Sequence, residues 1–452
     1  MTDAAAPGIW PILGTMNFGS QAQVKPDEVT VLLRTFISTG CTKTSSGSMV
    51  DTAGVFQQAT PDGDTETVLG DIFGMYPSMQ ARACISTKAT RFLPPHFSLS
   101  RQSVIDQCDA SLEKLGLDCV DVFYLQCPDI KTDIDDTLAG VEELHDEGKI
   151  SQFGLCNYPA WAVVDIWYRC KARNMLLPTV YQGMYNVVTR DLEREIVPVL
   201  RQFGLSLYVY NPLAGGILSG RYATSEEVAT ATAGRFSAEF DKTFGSEDKA
   251  GTVLYRSRYG KAPIFEAVEL LRRACAPDAG DSSEVPAAAA TVQESVVNGM
   301  KVRLEVTETK SRPQGLDMAN VALRWLLHHS LLAKGDGIVL GVSKGKHLTA
   351  NLGAWRAGPL DSDLVKACDA AWETARPACE SYFRGYGAQP GGIEKFLELK
   401  AQAPKTVDYA EALGENIVGS PEALHNLEME NRRQKAAKEE HESKKPRSED
   451  TA

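Results

Sequence analysis

Long apolar runs are absent from this chain of 452 residues. No stretch approaches the roughly 18 residues that a membrane-spanning helix needs, so we expect a protein that does not cross a membrane. The first residues, Met1, Thr2 and Asp3, also lack the basic and apolar regions of a secretory signal. We therefore expect a cytoplasmic protein.

Cysteines at metal-binding or redox spacing are missing too. The ten cysteines stand singly along the chain and none forms a Cys-x-x-Cys pair. Neither a zinc site nor a redox dithiol is expected from this pattern, and no other metal site is indicated. We interpret the cysteines as reduced thiols that pack as small apolar side chains.

An excess of positive charge is also lacking. The 47 basic residues are outnumbered by 59 acidic residues, which gives a net charge of −12. Because binding to nucleic acid depends on clustered lysine and arginine, this balance argues against nucleic acid as the main partner.

What the sequence does contain is an alternation of short apolar runs with helical patterns. The runs are nearly continuous in apolar character, which favours parallel strands covered on both faces. Between them, residues 100–115 and 136–147 carry apolar side chains at helical spacing. The eight predicted strands are Ile12–Gly14, Met49–Asp51, Ala83–Lys88, Val120–Leu125, Phe153–Cys156, Val180–Gln182, Leu207–Tyr210 and Ile338–Leu340.

Eight strands with intervening helices predict an α/β fold, either a barrel or a doubly wound sheet. Periodicity alone does not choose between them. No Gly-x-Gly-x-x-Gly follows an early strand, which makes a dinucleotide-binding doubly wound sheet less favoured.

Two segments interrupt this alternation. Residues 276–315 are rich in Ala, Pro, Gly, Ser and charge, and we interpret them as a surface insertion with some local structure. Residues 388–452 form a C-terminal extension whose last part is neutral in sum, so that either a solvated helix or disorder fits it. The main domain is expected to cover residues 1–387.

Several runs resemble the aldo-keto reductases, and in particular their aflatoxin-aldehyde reductase branch. The resemblance extends from about residue 9 to residue 387 and implies a (β/α)8 TIM barrel in place of the doubly wound sheet. The runs that carry it are residues 13–16, 51–53, 65–70, 86–88, 111–115, 148–150, 177–186, 211–216, 322–325, 328–330 and 381–384.

The family reduces a carbonyl with a tyrosine as proton donor, assisted by a lysine, an aspartate and a histidine. The resemblance places Asp51 and Lys88 at the aspartate and lysine positions. Phe56 stands at the tyrosine position and Gln126 at the histidine position. A phenyl ring has no proton to give, and a glutamine amide donates a hydrogen bond but does not relay a proton. The resemblance therefore implies a tetrad that has lost both proton-handling members.

A substitute acid would have to come from elsewhere in the chain. No histidine falls at a predicted catalytic strand end, and Tyr76 and Cys127 are the nearest alternatives in sequence. Without such a substitute, the loss of general-acid help lowers the rate by roughly 10²–10⁴-fold.

The cofactor-binding part of the family pattern is better kept, and the resemblance implies NADPH as the cofactor. Asn157 and Gln182 match positions that hold the nicotinamide carboxamide, and Tyr210 matches the aromatic that stacks on the ring. His347 replaces a usual Gln or Arg, while Lys344 and Lys346 favour a 2′-phosphate. The other positions expected to bind the cofactor are Gly14, Met16, Asp51, Asn211, Leu213, Gly215, Arg221, Arg235, Gly341, Ser343 and Asn351.

These features lead to three functional hypotheses. The first is a pseudo-reductase that binds NADP(H) and serves as a scaffold, a sensor or a subunit, with residues 276–315 and 388–452 as extra surface for protein partners. The second is an active NADPH-dependent oxidoreductase on aldehydes, dicarbonyls or quinones. The third is a structural protein without a ligand.

Overall fold

Eight parallel strands close into a barrel in this computed structural model. Each barrel strand pairs with its neighbours in the chain, and the last strand pairs with the first, which closes the ring. The structure describes residues 8–18, 24–39, 47–54, 64–91, 98–232, 234–237, 254–276, 291–297, 300–306 and 315–384. The barrel strands are β1 (Trp10–Gly14), β2 (Ser48–Asp51), β3 (Ala83–Ala89), β4 (Val122–Leu125), β5 (Phe153–Cys156), β6 (Pro178–Met184), β7 (Ser206–Tyr210) and β10 (Gly337–Gly341).

Helices follow the strands and surround the barrel, so the expectation of a (β/α)8 barrel is confirmed. Short 3-10 turns add Asp191–Arg194, Ala214–Ser219, Ala354–Arg356 and Arg376–Ala378. The helices are α1 (Pro26–Ser38), α2 (Thr65–Met75), α3 (Pro77–Gln80), α4 (Arg101–Leu115), α5 (Ile134–Asp146), α6 (Ala160–Ala172), α7 (Ile196–Phe203), α8 (Ser225–Ala229), α9 (Leu254–Tyr259), α10 (Ala262–Cys275), α11 (Met318–His328), α12 (Gly345–Gly353) and α13 (Ser362–Ala375).

Local capping explains where the helices begin and end. Helix α4 starts after Ser100, whose side chain accepts a hydrogen bond from the Ser103 amide, and it stops at Gly116 in the left-handed region with φ 64°. Helix α5 begins earlier than the apolar pattern predicts, because Asp133 caps the amide of Asp135. Strand β4 begins at Val122 and not at Val120, which forms only an isolated bridge to Ile150.

The apolar residues pack in two layers. An outer layer lies between the barrel wall and the surrounding helices. The lumen of the barrel is filled by a smaller set whose members point inward from the strands, so the barrel is a packed core and not a pore. This inner set comprises Ile12, Met49, Cys84, Val122, Tyr124, Cys156, Val180, Tyr208 and Val339.

The insertion leaves the barrel between α10 and α11. Its two ends meet, because the Leu316 amide donates to the Cys275 carbonyl at 2.8 Å. Within it, β8 (Thr291–Val297) and β9 (Met300–Val306) pair as an antiparallel two-stranded sheet outside the barrel. The predicted extension, 388–452, lies outside the described residues.

None of the helices in the described part of the chain is both long enough and apolar enough to span a membrane.

Two glycines of α2 provide a test of the helix packing. A Cβ atom on Gly70 would lie 2.0 Å from the Lys114 carbonyl oxygen at the end of α4, whereas a Cβ on Gly74 would meet nothing within 4 Å. We expect Gly70→Ala to lower the free energy of unfolding by about 1–3 kcal/mol, because α2 must move away from α4. Gly74→Ala is the matched control and should raise it by about 0.5–1 kcal/mol, since alanine favours the helix. Equal effects of the two changes in denaturant unfolding would contradict this packing.

A candidate cofactor and catalytic site at the mouth of the barrel

The mouth of the barrel is organised around a buried ion pair. Lys88 Nζ donates to Asp51 Oδ1 at 2.7 Å and to the Thr52 carbonyl at 2.7 Å. Asp51 and Lys88 are only 6% and 3% exposed, so each charge depends on the other for compensation. Ser86 Oγ adds a hydrogen bond of 2.8 Å to the same carboxylate oxygen. Both residues lie at the carboxyl ends of their strands, where barrel enzymes place their sites.

No phenol oxygen accepts a hydrogen bond from Lys88 among the described residues. The Tyr124 ring lies below Lys88, with its centroid 5.3 Å from Nζ. The Tyr124 hydroxyl is buried and has no hydrogen-bond partner in this part of the structure. Burial raises the pKa of Tyr124 well above its ordinary value, and Tyr208 and Asp51 add to this shift. Phe56, the residue at the expected tyrosine position, lies outside the described residues.

Gln126 follows β4 directly and reaches the same mouth. Its backbone amide donates to the Ala89 carbonyl at 2.9 Å, and its backbone carbonyl accepts a hydrogen bond from Asn157 Nδ2 at 2.9 Å. The side-chain oxygen Oε1 is buried and has no hydrogen-bond partner within the described structure. The side chain is therefore a neutral amide with an unused acceptor, at the place where the family pattern expects an imidazole.

The residues expected to hold a nicotinamide lie next to the ion pair. The Tyr210 hydroxyl donates to Asn157 Oδ1 at 2.7 Å, and Gln182 Nε2 donates to Asp51 Oδ1 at 3.0 Å. Asn157 sits in the left-handed region at φ 60°, a conformation that asparagine tolerates better than most residues. The structure thus brings Asn157, Gln182 and Tyr210 together with Asp51 and Lys88.

Arg384 is a site residue to which the sequence analysis assigned no role. Its backbone amide donates to the Asn157 carbonyl at 2.9 Å, and its guanidinium lies close enough to the Tyr210 hydroxyl for the two groups to interact electrostatically. Burial raises the pKa of Tyr210, and the Arg384 guanidinium opposes this shift. The only signal in the sequence was its place at the end of the run 381–384, which carried the resemblance but no chemistry.

The alternative acids considered from the sequence do not fit the role. Tyr76 lies at the carboxyl end of α2 with the Arg34 guanidinium 5.3 Å above its ring. Helix carboxyl ends lie at the opposite end of the barrel from the catalytic mouth. Cys127 lies near the mouth, but burial raises the pKa of its thiol, against the opposing effect of Arg91 and Arg384.

A loop of left-handed residues follows β7. Asn211, Ala214, Gly215 and Gly216 have φ values of 57°, 50°, 70° and 106°. Successive residues in such conformations direct backbone N–H groups toward one side, which suits a phosphate. A Cβ atom on Gly215 would lie 2.7 Å from the Tyr255 ring, so this position requires glycine for space as well as for conformation.

Arg235 lies further along the chain than this loop and contacts residues at the ends of the first and last barrel strands. It donates to the Tyr255 hydroxyl and, at 3.6 Å, to Met16 Sδ. A Cβ atom on Gly341 would lie 2.6 Å from an Arg235 nitrogen, and Gly341 pairs with Gly14 in the barrel register. Gly14, Met16, Arg235 and Gly341 therefore lie together.

The start of α12 offers a second place for a phosphate. Lys344 precedes the helix without a side-chain cap, and a Cβ on Gly345 would meet nothing within 4 Å, so the helix start is open. Lys346 adds positive charge to the helix dipole. Burial lowers the pKa of His347, and the two lysines lower it further. Ser343 precedes this turn and Asn351 lies buried within α12.

Two further residues that were expected to bind the cofactor, Leu213 and Arg221, have contacts that do not by themselves indicate a cofactor. Leu213 lies in the loop after β7 and packs against the outer layer of the core. The Arg221 guanidinium lies over the Tyr222 ring, 5.2 Å from its centroid, and within the described ranges it has no hydrogen bond or ion pair with another expected cofactor residue. The hydrogen-bond donors at the mouth suit the phosphates of a dinucleotide. The left-handed loop after β7 and the open start of α12 with its two lysines lie on either side of Asn157 and Gln182. In the described part of the chain, no group of three or more His, Cys, Asp or Glu side chains is arranged to hold a metal ion.

Comparison with known proteins identifies the family. The profile of the Aldo/keto reductase family matches residues 12–373. The chain is 36% identical over 375 residues to aflatoxin B1 aldehyde reductase member 2 of Rattus norvegicus, covering 82% of this chain and 87% of the relative. It is also 36% identical over 377 residues to aldo-keto reductase family 7 member A3 of Homo sapiens, covering 82% of this chain and 96% of the relative.

The chain belongs to the aldo/keto reductase family. The family expectation from the sequence is therefore confirmed, together with the similarity to the aflatoxin aldehyde reductase branch. The matched region ends at residue 373, before the C-terminal loop that brings Arg384 to the site.

Removing only one member of the Asp51–Lys88 ion pair should lower the free energy of unfolding more than removing both members. We expect Asp51→Leu to lower the free energy of unfolding by about 3–5 kcal/mol, because it leaves the Lys88 ammonium buried without its carboxylate. The double change Asp51→Leu with Lys88→Met should recover at least half of that loss. Urea unfolding of the three proteins measures both values.

The exposed pair of Lys366 and Asp363, at 3.2 Å, provides the control. Asp363→Ala should leave the unfolding midpoint nearly unchanged, since exposed pairs contribute little. A double variant that is as unstable as Asp51→Leu alone, or less stable, would show that the two residues do not form an interdependent pair.

Proposed function

We propose that this member of the aldo/keto reductase family binds NADP(H) but has lost efficient carbonyl reduction, and that it acts as a sensor, a scaffold or a subunit of a larger assembly. The observation that carries the proposal is the environment of Lys88. Its hydrogen bonds go to Asp51 and to the Thr52 carbonyl, and no tyrosine hydroxyl receives one in the described structure. The family resemblance explains the missing hydroxyl, because it places Phe56 where the family has its catalytic tyrosine.

The chemistry of the mouth explains why this loss matters. A bound NADPH supplies the hydride. The residues of the chain must supply the proton to the developing alkoxide and must orient the carbonyl. Gln126 can donate a hydrogen bond to a carbonyl oxygen, but its amide cannot become cationic. Among the described residues at the mouth there is neither an imidazole nor a correctly placed phenol, so aldehyde reduction should run close to the background rate.

The cofactor half of the proposal rests on different residues. Asn157, Gln182 and Tyr210 are gathered beside the ion pair, at the position where a carboxamide and its ring would bind. The left-handed loop after β7 suits the pyrophosphate. Lys344 and Lys346 at the start of α12 favour the extra phosphate of NADP(H) over NAD(H).

One observation favours a second candidate, an active oxidoreductase restricted to dicarbonyls or quinones. A lysine ammonium has three protons to donate, and Lys88 uses two of them on Asp51 and Thr52. The third could stabilise an oxyanion. Dicarbonyls and quinones spread the charge left by hydride transfer and depend less on a protein acid than simple aldehydes do.

Protein partners and location follow as further parts of the proposal. The insertion and the extension supply surface that the barrel itself does not need, and we propose them as partner-binding regions. None of the nine cysteines in the described residues forms a disulfide bond, which supports a reducing compartment such as the cytoplasm.

Restoring the proton-handling pair tests the proposal. We expect the double change Phe56→Tyr with Gln126→His to raise kcat/KM for a simple aldehyde by about 10²–10⁴-fold, because it returns the general acid and the orienting imidazole. The measurement is NADPH oxidation at saturating cofactor, with a dicarbonyl and a quinone assayed in parallel.

The matched control carries Phe56→Tyr, Gln126→His and Lys88→Met, and it should show no gain. Unaltered protein that already oxidises NADPH with simple aldehydes at rates typical of enzymes would refute the proposed impairment. Turnover confined to dicarbonyls and quinones would favour the second candidate.

A further inference from the structure

Helices α6 and α7 leave a band of aromatic side chains between them on the outside of the barrel. Trp167, Tyr168 and Phe203 pack edge to face, with ring centroids 5.2, 4.9 and 5.8 Å apart. All three side chains remain partly exposed. We call these three residues the aromatic seam.

The apolar face of α6 continues from the seam toward the mouth of the barrel. Val164 is partly exposed and Trp161, in the first turn of the helix, is 44% exposed. Residues 161, 164 and 168 are spaced three and four apart, so they share one face of the helix. The aromatic seam is thus the lower end of an apolar stripe that starts at the top of α6.

Two cations without a counterion among the described residues lie on the same two elements, one near the end of α6 and one in the turn before α7. Lys171 Nζ lies 4.9 Å above the Trp167 ring, is exposed, and forms no ion pair with any residue in the described ranges. Arg194, exposed in the turn before α7, also forms none there. Because the protein carries a net charge of −12, two unpaired cations beside an aromatic band indicate an acidic and apolar binding partner.

The C-terminal loop leaves the described structure at the top of the same two helices. The Tyr382 hydroxyl accepts from the Ala160 amide at 2.9 Å and donates to Glu195 Oε2 at 2.7 Å. Ala160 is the first residue of α6, and Glu195 precedes α7. The chain then continues beyond Arg384 for another 68 residues, 385–452.

One segment of that extension has the complementary composition. Residues 406–430 contain six carboxylates and neither lysine nor arginine. Residues 431–452, by contrast, mix acidic residues with a comparable number of basic ones, so they do not complement the two cations. The carboxylates of residues 406–430 are Asp408, Glu411, Glu415, Glu422, Glu428 and Glu430, and the larger apolar residues are Val407, Tyr409, Leu413, Ile417, Val418, Leu424, Leu427 and Met429.

The connecting chain is long enough for this segment to reach the seam. Residues 385–405 span at most about 70 Å when extended. Trp167 lies seven residues into α6, about 10 Å along the helix axis from Ala160. The connecting residues are therefore long enough for any part of the extension to reach the seam. Residues 406–430 are chosen for their acidic and apolar composition.

We propose that residues 406–430 dock along the aromatic seam of the same molecule, with their carboxylates facing Lys171 and Arg194. This docking covers the apolar stripe of α6 and fixes the extension on the flank of the barrel. It does not depend on whether the mouth binds a cofactor or catalyses a reaction.

Hydrogen–deuterium exchange of the full-length protein tests the docking. Exchange in residues 406–430 should be at least about tenfold slower than in residues 431–452. Lys171→Glu with Arg194→Glu should speed exchange in residues 406–430 about tenfold, because the carboxylates lose their partners. The charge change on the other side, Glu411→Lys with Glu415→Lys, should have the same effect, and combining all four changes should restore protection.

A matched control reverses two exposed charges, Lys366→Glu on α13 with Arg376→Glu in the turn that follows it, and should leave exchange in residues 406–430 unchanged. Exchange across α4 reports that each variant is folded. Residues 406–430 exchanging as fast as 431–452 would overturn the proposal. So would protection that survives both charge reversals. Protection that increases with protein concentration would assign the seam to a second copy and would likewise overturn docking within one molecule.

Discussion

The buried pair of Asp51 and Lys88 is the interaction on which the rest of the mouth depends. Two charges removed from water stabilise a fold only when each satisfies the other and the remaining donors and acceptors find partners. Here one carboxylate oxygen receives Lys88, Ser86 and Gln182, three side chains from two other strands. The pair therefore connects β2 and β3 with β6, the strand whose Gln182 is expected to face a nicotinamide.

This double role explains how a site could keep the pair while losing its proton donor. If the pair served only to activate a tyrosine, removing its two charges from water would destabilise the fold without any catalytic gain, because phenylalanine stands at position 56. Because Asp51 also holds the Gln182 amide, and Lys88 also holds the Thr52 carbonyl, loss of either would disturb the cofactor face. The contacts of Arg384 with Asn157 and Tyr210 extend the same network to the C-terminal loop, where the described structure ends.

The sequence predicts the fold well where the signal is local and poorly where it is not. Each of the eight apolar runs overlaps a barrel strand, with bounds that differ by up to two residues, and Ser100 and Gly116 delimit α4, because burial and capping act over a few residues. Closure of the barrel depends on pairing of Trp10–Gly14 with Gly337–Gly341, which periodicity does not reveal and which only the family resemblance supplied. The bond between Gln182 and Asp51, the contact of Tyr255 with Arg235 and the arrival of Arg384 join distant segments without a shared pattern. Phe56 and the extension lie outside the described residues, so their roles stay predictions.

The central claim is that the barrel still binds NADP(H), and a titration of the thermal unfolding midpoint tests it most directly. A ligand that binds only the folded state stabilises it in proportion to the logarithm of its concentration above Kd. We predict a clear rise that grows with the logarithm of the NADPH or NADP⁺ concentration, a smaller rise with NADH, and a loss of that difference in Lys346→Glu. An unfolding midpoint that does not move with any of these nucleotides would contradict the account and would favour a structural protein without a ligand.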